Sequence, residues 1–441
     1  MARTSETKLV INEELHQSVL PKYLDVLKRL KAKFEVVQDS EFSNLVNFKT
    51  NKTQPIHNWF DYKQGYASLL INKIIEKESP GKNEFVLDPF CGVGTTNVVA
   101  QSMGFKSIGF DINPVATLAS KVKCANYSEQ DIEMIQKEIN AFSPTATKIV
   151  PQSPLLDKSF DTKTFNQLMK IKGFYEKTSN EKVSDFLKLA YLSIVENCSN
   201  RIKDGNGIKI VKNKKSVGDV YVYYKSKVEN MIKDIGLSKE HPNSIIINGS
   251  MLIDEDFKKI KKKQAGIVIF SPPYANCFDY CEVYKLELWM GDFVQAYSDF
   301  WNYRSIAMRS HVNSKFDHNI NNPNQSVEII SQLISTFNIW NKNIPDMVKG
   351  YFDDMEEMLS RLKAVMTPKS KCYIVVANSG YRGVLVPTDL LISEIASKLG
   401  FVVEEVIHAR KIRASSQQMK ELHGEYENLM RESIIVIRNE I

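Results

Sequence analysis

Apolar side chains recur at three- and four-residue spacing from residue 12 to residue 35. Leu15, Val19, Leu20, Tyr23, Leu24, Leu27, Leu30 and Phe34 share one face there and predict an amphipathic helix. Pro21 predicts either a kink in it or its true start. A polar linker over about 38–56 precedes a second predicted helix from Asp61 to Lys77. The pattern then changes. EFVLD (84–88) is a short apolar run that ends in the turn CGVGTT, followed by a helix through Asn97–Met103. KSIGFD (106–111) is a second strand with an acidic end, followed by a helix over Pro114–Lys123. A strand, a glycine turn, a helix and an acid-ended strand make a βαβ unit of the doubly wound kind.

From about 128 to 242 the period is helical and polar, and the stretch 201–220 reads as a basic loop. SIIINGS (244–250) and GIVIFSPPY (266–274) restore the strand pattern, and 294–343 reads as a helical insertion. A helix at 350–366, a strand at 372–379, a helix around 388–399 and strands at 401–408 and 432–438 complete the chain. The expected fold is α/β: a doubly wound, mostly parallel, seven-stranded Rossmann-like sheet with largely helical insertions. The expected organisation is an N-terminal helical segment (1–54), a first α/β half (55–127), an inserted helical and basic region (128–243) and a second α/β half (244–441).

At 441 residues the chain is long enough for two or three units, and 43% hydrophobic with 25% charged residues is the balance of a globular protein with a large core. Apolar runs stay short of the roughly 18 residues of a membrane span, and the first residues lack an apolar leader, so a cytoplasmic protein is expected. The six cysteines are scattered without a CxxC pair, which predicts reduced, mostly buried thiols rather than zinc or disulfides. A net charge of +6 is weak evidence for nucleic acid by itself. The distribution says more. Arg201, Lys203, Lys209, Lys212, Lys214, Lys215, Lys225 and Lys227 face only Asp204 and Asp219 across 201–227.

Three clusters carry chemistry. In Asp88-Pro89-Phe90-Cys91-Gly92-Val93-Gly94-Thr95-Thr96, two glycines let backbone approach a ligand at the carboxyl end of the first strand. The turn lacks the third glycine of G-x-G-x-x-G and the Gly-Lys-Ser/Thr of a P-loop, which lowers the nicotinamide and nucleoside-triphosphate readings. Asp111 ends the second strand, where a carboxylate either accepts both hydroxyls of a ribose or caps the helix beginning near Pro114. Ribose binding is the favoured role. Ser271-Pro272-Pro273-Tyr274 follows the apolar strand 267–270. Consecutive prolines make a rigid turn without N–H donors, so a hydroxyl, a carbonyl and an aromatic face suit an –NH2 group on a flat ring.

In this combination DPFCGVGTT, FDINP and SPPY resemble the cofactor, acidic and catalytic motifs of bacterial DNA amino methyltransferases, in the α-like motif order. PIHNWFDYKQGY (55–66) is similar to the family's segment that closes over the methionine end of the cofactor, and NGS (248–250) to its adenine contact. The resemblance covers about 55–125 and 244–440. It implies S-adenosylmethionine held by His57, Trp59, Tyr62, Asp88, Pro89, Phe90, Cys91, Gly92, Gly94, Thr95, Thr96, Asp111, Ile112, Asn113, Gly249 and Ser250. It implies a catalytic turn of Ser271, Pro272, Pro273 and Tyr274. The basic stretch supplies candidate phosphate ligands in Arg201, Lys203, Lys209, Lys212, Lys214 and Lys215. A side chain at Gly94 is expected to fill cofactor space. The implied partner is duplex DNA, with a companion restriction endonuclease encoded separately and no metal.

In the family these motifs resemble, the first motif position is mostly Ser in cytosine-N4 enzymes and Asp or Asn in adenine enzymes, so the resemblance implies the exocyclic N4 of a flipped cytosine, with adenine N6 as the alternative. Cytosine-C5 chemistry needs a cysteine nucleophile, which in that family stands beside a proline as Pro-Cys, a dipeptide this chain lacks. An RNA base amino methyltransferase and a non-catalytic DNA-binding module are lesser alternatives. Asp279, Glu282 and Lys285 superficially suggest a nuclease core, but the Glu-x-Lys spacing is wrong; CFDYCEVYKLELW is expected to be a helix supporting the catalytic turn.

Overall fold

A computed structural model describes residues 10–63, 65–205, 207–235, 241–260, 264–316, 324–412 and 429–440. Among them, eight strands carry the α/β framework: β1 (Val36–Gln38), β2 (Phe85–Asp88), β3 (Lys106–Asp111), β4 (Ser244–Asn248), β5 (Ala265–Phe270), β6 (Met366–Ala377), β7 (Phe401–Lys411) and β8 (Arg431–Asn439). The chain divides into two compact units. The first is Met1–Val46, Met251–Phe278 and Ala307–Ile441; the second is Asn47–Ser250 and Asp279–Ile306.

In the first unit the strands lie in the order β1-β7-β8-β6-β5. The β1/β7 and β5/β6 pairs are parallel, and β8 runs antiparallel to both of its neighbours. Ile434 and Ile435 of β8 lie opposite Val375 and Ile374 of β6, and all four are buried. β-Branched residues suit such a pleated surface, and each buried one contributes about 1.5–3 kcal/mol of transfer free energy. The helices Ile344–Val365 and Thr388–Lys398 pack together, with Leu359, Leu362, Leu391 and Ile395 buried. The helix Glu13–Lys33 starts where Asn12 accepts a hydrogen bond from the Leu15 N–H and continues through Pro21, so that proline does not mark its start.

In the second unit β2-β3-β4 are all parallel, with Leu87 opposite Ile108 and Gly109 opposite Ile246. The helices Thr95–Ser102 and Pro114–Cys124 follow β2 and β3. Asn113 caps the second of these with Pro114 in its first turn. The inserted region is a cluster of helices, chiefly Glu129–Asn140, Thr162–Tyr175, Glu181–Cys198 and Val220–Ile235.

The doubly wound α/β expectation holds, with the three-residue β1 as an eighth strand beside the seven expected. The second helix begins at Ser68 rather than Asp61, because buried Asn51 accepts the Ser68 N–H and donates to the Tyr66 carbonyl, holding the preceding residues out of the helix. The basic stretch is no loop at its start: Arg201–Asp204 and Gly207–Ile210 form an antiparallel hairpin, with Gly205 at φ +51° in the reversal. Four of the six cysteines, all free thiols, are buried. Among the described residues no helix is long and apolar enough to cross a membrane.

Candidate active site

In the second unit the glycine turn is braced from three sides. Asp88, at the end of β2, is 1% exposed and accepts hydrogen bonds from the Tyr66 hydroxyl (2.8 Å), the Thr96 hydroxyl (2.6 Å) and the Phe90 N–H (3.0 Å). Those donors occupy the carboxylate, and its burial pushes its pKa up to about 6. Asp88 and Thr96 therefore shape the turn from inside it. Ser120, on the helix Pro114–Cys124, donates to the Gly92 carbonyl at 2.7 Å. Gly94 has φ +79°, and a Cβ there would lie 2.9 Å from Ser120 Oγ and 3.2 Å from its Cα. A side chain at this position would strike the helix, which corrects the expectation that it would fill cofactor space.

Gly92 has φ +52°, and a Cβ on it would come 2.9 Å from the Tyr62 ring. Its N–H donates to Asp111 Oδ2 at 3.0 Å, while the Asn113 N–H donates to Oδ1 at 2.8 Å. Asp111 thus tethers the first turn to the end of β3, and its carbonyl accepts the Gly249 N–H at 2.9 Å from the end of β4. Asp111, Phe90 and Ile112 are half-buried, whereas Cys91, Asn113 and Ser250 are buried. Each Asp111 oxygen keeps lone-pair capacity beyond its one backbone donor. Burial, offset by those two N–H groups, lifts its pKa to about 6.

The segment before the turn divides into parts. Trp59 is 1% exposed and donates to Asp234 at 2.8 Å; the same carboxylate accepts the Ile56 N–H. Lys123 donates to the His57 carbonyl and Lys227 to the Asn58 carbonyl, each at 3.1 Å. Burial takes the His57 imidazole down to about 3, so it is neutral. His57 and Trp59 are thus packed into the unit, and Tyr62 is the residue set against Gly92. Its ring stacks on Tyr284 (5.1 Å, 13°) and on Tyr280 (6.1 Å, 17°). Tyr280 opens the short helix Tyr280–Val283 and Tyr284 lies between it and the next, Lys285–Met290; the sequence shows their four-residue spacing without marking them as site residues. Asp279 and Glu282 are held by Arg304, an ion-paired arrangement rather than a nuclease core.

The basic stretch separates into inward and outward cations. Lys203 is buried between Glu196 and Glu287 and lies 4.7 Å from the centre of the Tyr284 ring. Lys214 donates to the carbonyls of Glu196 and Arg201 at 2.6 Å each. Lys203 is a structural tie, because a phosphate cannot reach an ammonium enclosed between two carboxylates, whereas half-buried Lys214 spends two of its donors on backbone carbonyls. Lys209 pairs with Asp204 at the surface, Lys212 and Lys215 are exposed, and Arg201 is half-buried with its Nε on Ser159.

In the first unit Ser271-Pro272-Pro273-Tyr274 leaves the end of β5. The turn is pinned from behind: Tyr381 donates to the Ala275 carbonyl at 2.6 Å, and the Cys277 N–H to the Ser310 carbonyl at 3.1 Å. Ser271 and Tyr274 are half-buried. The Ser271 hydroxyl donates to the Tyr274 oxygen at 3.4 Å, and the Tyr274 hydroxyl donates to Glu432 at 2.6 Å.

The donor set fits S-adenosylmethionine. A half-exposed carboxylate at the end of β3 suits ribose hydroxyls, a turn closed to a Cβ at Gly92 suits close backbone approach, and Tyr62 places an aromatic surface beside it. The N6/N4 DNA methylase family matches residues 16–122. The Type II methyltransferase M.BsoBI of Geobacillus stearothermophilus is 26% identical over 93% of this chain and 91% of its own length. M.AvaI of Nostoc sp. is 26% identical over 88% of each chain, and M.MvaI of Kocuria varians 24% identical over 79% of this chain and 82% of its own. The glycine turn and acid-ended strand of the second unit and the Ser-Pro-Pro-Tyr turn of the first are those expected, and this chain resembles the Type II DNA methyltransferases, a likeness that supports amino methylation with S-adenosylmethionine as methyl donor.

Proposed function

We propose that the protein methylates the exocyclic N4 of a cytosine flipped out of duplex DNA. The observation that carries the reading is the Ser271–Tyr274 turn, which combines a hydroxyl, a proline carbonyl and a half-buried aromatic ring directly after an apolar strand. The bound cofactor supplies an electrophilic methyl group. Asp111 would hold its ribose, beside the backbone of Gly92, with Phe90, Ile112, Asn113, Gly249 and Ser250 as further ligands and Tyr62 as an aromatic wall.

An arylamine nitrogen shares its lone pair with the ring and is barely nucleophilic. Acceptors at Ser271 Oγ and the Pro272 carbonyl would bind its N–H groups and favour tetrahedral geometry, freeing the lone pair. The bound donor would supply the methyl group and leave as S-adenosylhomocysteine, and the proton lost from the amino group would pass to solvent water. Most of the acceleration is then positioning of bound reactants. Extruding the base costs a few kcal/mol, offset in part by stacking on Tyr274, worth about 1–3 kcal/mol. Arg201, Lys209, Lys212 and Lys215 would meet phosphates, and a separately encoded endonuclease would share the recognition sequence.

Ser271 favours cytosine, because the family's adenine enzymes mostly carry Asp or Asn at this position. Adenine N6 is the second reading, since the same acceptors serve its amino group. The deciding experiment is mass spectrometry of nucleosides from duplex DNA treated with enzyme and cofactor. N4-methylcytosine is expected; N6-methyladenine alone would overturn the base assignment and leave amino methylation standing.

A further inference from the structure

Tyr274 is anchored at its far end by a residue that no motif contains. Glu432 is 158 positions away in sequence, on β8, and is 3% exposed. Its Oε1 accepts the Tyr274 hydroxyl at 2.6 Å, and its Oε2 accepts Arg410 Nε at 2.5 Å. Arg410 and Glu432 are cross-strand partners on β7 and β8, and on its other side Glu432 lies opposite Ala377 of β6. Burial drives the Glu432 pKa up, while Arg410 and the Tyr274 hydroxyl pull it back by favouring the carboxylate. A buried carboxylate with one ionic and one phenolic partner is costly to maintain, and a site that needed only an aromatic face could use phenylalanine.

The geometry has two chemical consequences. A phenolic O–H lies in the plane of its ring by conjugation, so an acceptor held rigidly in β8 restrains the ring plane as well as the position of the oxygen. Because the Tyr274 proton is given to Glu432, the phenolic oxygen is left as an acceptor. The Ser271 hydroxyl then donates to it at 3.4 Å. A hydroxyl has one proton and two lone pairs. With its proton turned to Tyr274, Ser271 presents lone pairs alone to an incoming group.

We propose that Glu432, held by Arg410, is a positioning residue that sets the Tyr274 ring plane and the polarity of the Ser271 hydroxyl, so that the turn receives an amino group and disfavours a ring nitrogen or carbonyl. The inference rests on the amino-methylation reading above.

The test measures single-turnover methyl transfer to duplex DNA, cofactor affinity by calorimetry and thermal unfolding for the wild type, Glu432→Gln, Tyr274→Phe, the double variant and Arg410→Gln. Loss of a charge-assisted hydrogen bond predicts a fall of about tenfold to a hundredfold in the transfer rate of Glu432→Gln. Cofactor affinity should stay within about twofold, because Asp111 and the glycine turn are untouched. The double variant should be no slower than the slower single variant, since one substitution neutralises and the other removes the same charge-assisted hydrogen bond. Arg410→Gln should slow transfer in the same direction by a smaller factor, and it decides the matter if Glu432→Gln does not fold. Full-rate transfer by Glu432→Gln, or losses that multiply in the double variant, overturns the positioning role while leaving amino methylation intact. A wild type that transfers no methyl group to DNA overturns both.

Discussion

Asp111 is the residue whose environment makes the plainest demand on conditions. Without cofactor its carboxyl titrates near 6, because burial outweighs the N–H groups of Gly92 and Asn113. In the proposed binding mode ribose hydroxyls would donate to the ionised form, so binding would lower that pKa and favour the carboxylate. Affinity for S-adenosylmethionine should therefore be complete well above pH 6 and fall as the pH drops through about 6. Asp111→Ala should lose about 1.5–3 kcal/mol of binding, and Asp111→Asn should bind weakly with a flattened pH profile. Asp88 also titrates near 6, but its contribution persists in the Asn variant, which separates the two. Calorimetry from pH 8 to 5 that finds no pH dependence in the wild type, or the same dependence in Asp111→Asn, would remove the assignment. The two aspartates also show what local sequence conveys: both end strands next to turns, yet Asp88 is enclosed by Tyr66 and Thr96 while Asp111 is half-exposed. Strand position alone does not reveal which carboxylate has its donors already.

At the scale of elements, the hairpin Arg201–Ile210 carries a sequence signal that the density of charge obscures. Ile202, Ile208 and Ile210 alternate with charged residues around Asp204-Gly205, a two-residue period around a turn signal. The fold then divides its cations by role. Replacing Lys209, Lys212 and Lys215 by glutamine should weaken duplex DNA binding and reduce the log–log salt slope by about 0.9 for each phosphate no longer neutralised, with cofactor affinity unchanged. A salt slope equal to that of the wild type would mean these lysines face only solvent. Lys203→Met belongs to another class. It leaves Glu287, 2% exposed, without its ionic partner, and removing one member of a buried pair costs about 3–5 kcal/mol. Thermal unfolding should drop markedly, whereas a Tm within a degree or two of the wild type would show that the pair contributes nothing net.

For the molecule as a whole, local sequence determined the strand–turn–helix units, the positive-φ glycines, the capped start at Asn113-Pro114 and the rigid Ser-Pro-Pro-Tyr turn. These depend on backbone sterics and on hydrogen bonds only a few residues long, so residue type and spacing are sufficient to specify them. The family resemblance lies in the same short segments. Tertiary structure decided which polar groups were already satisfied. Asn51 shortens a helix 17 positions on, Ser120 reaches back 28 positions to hold the glycine turn, and Lys203 crosses 84 positions to Glu287. Glu432 meets Tyr274 only because strand register places it there, 158 positions along the chain. A two-residue side-chain period means that a slip of one position would turn Glu432 to the opposite face of the sheet. Such pairings are products of register and packing, to which no local spacing corresponds.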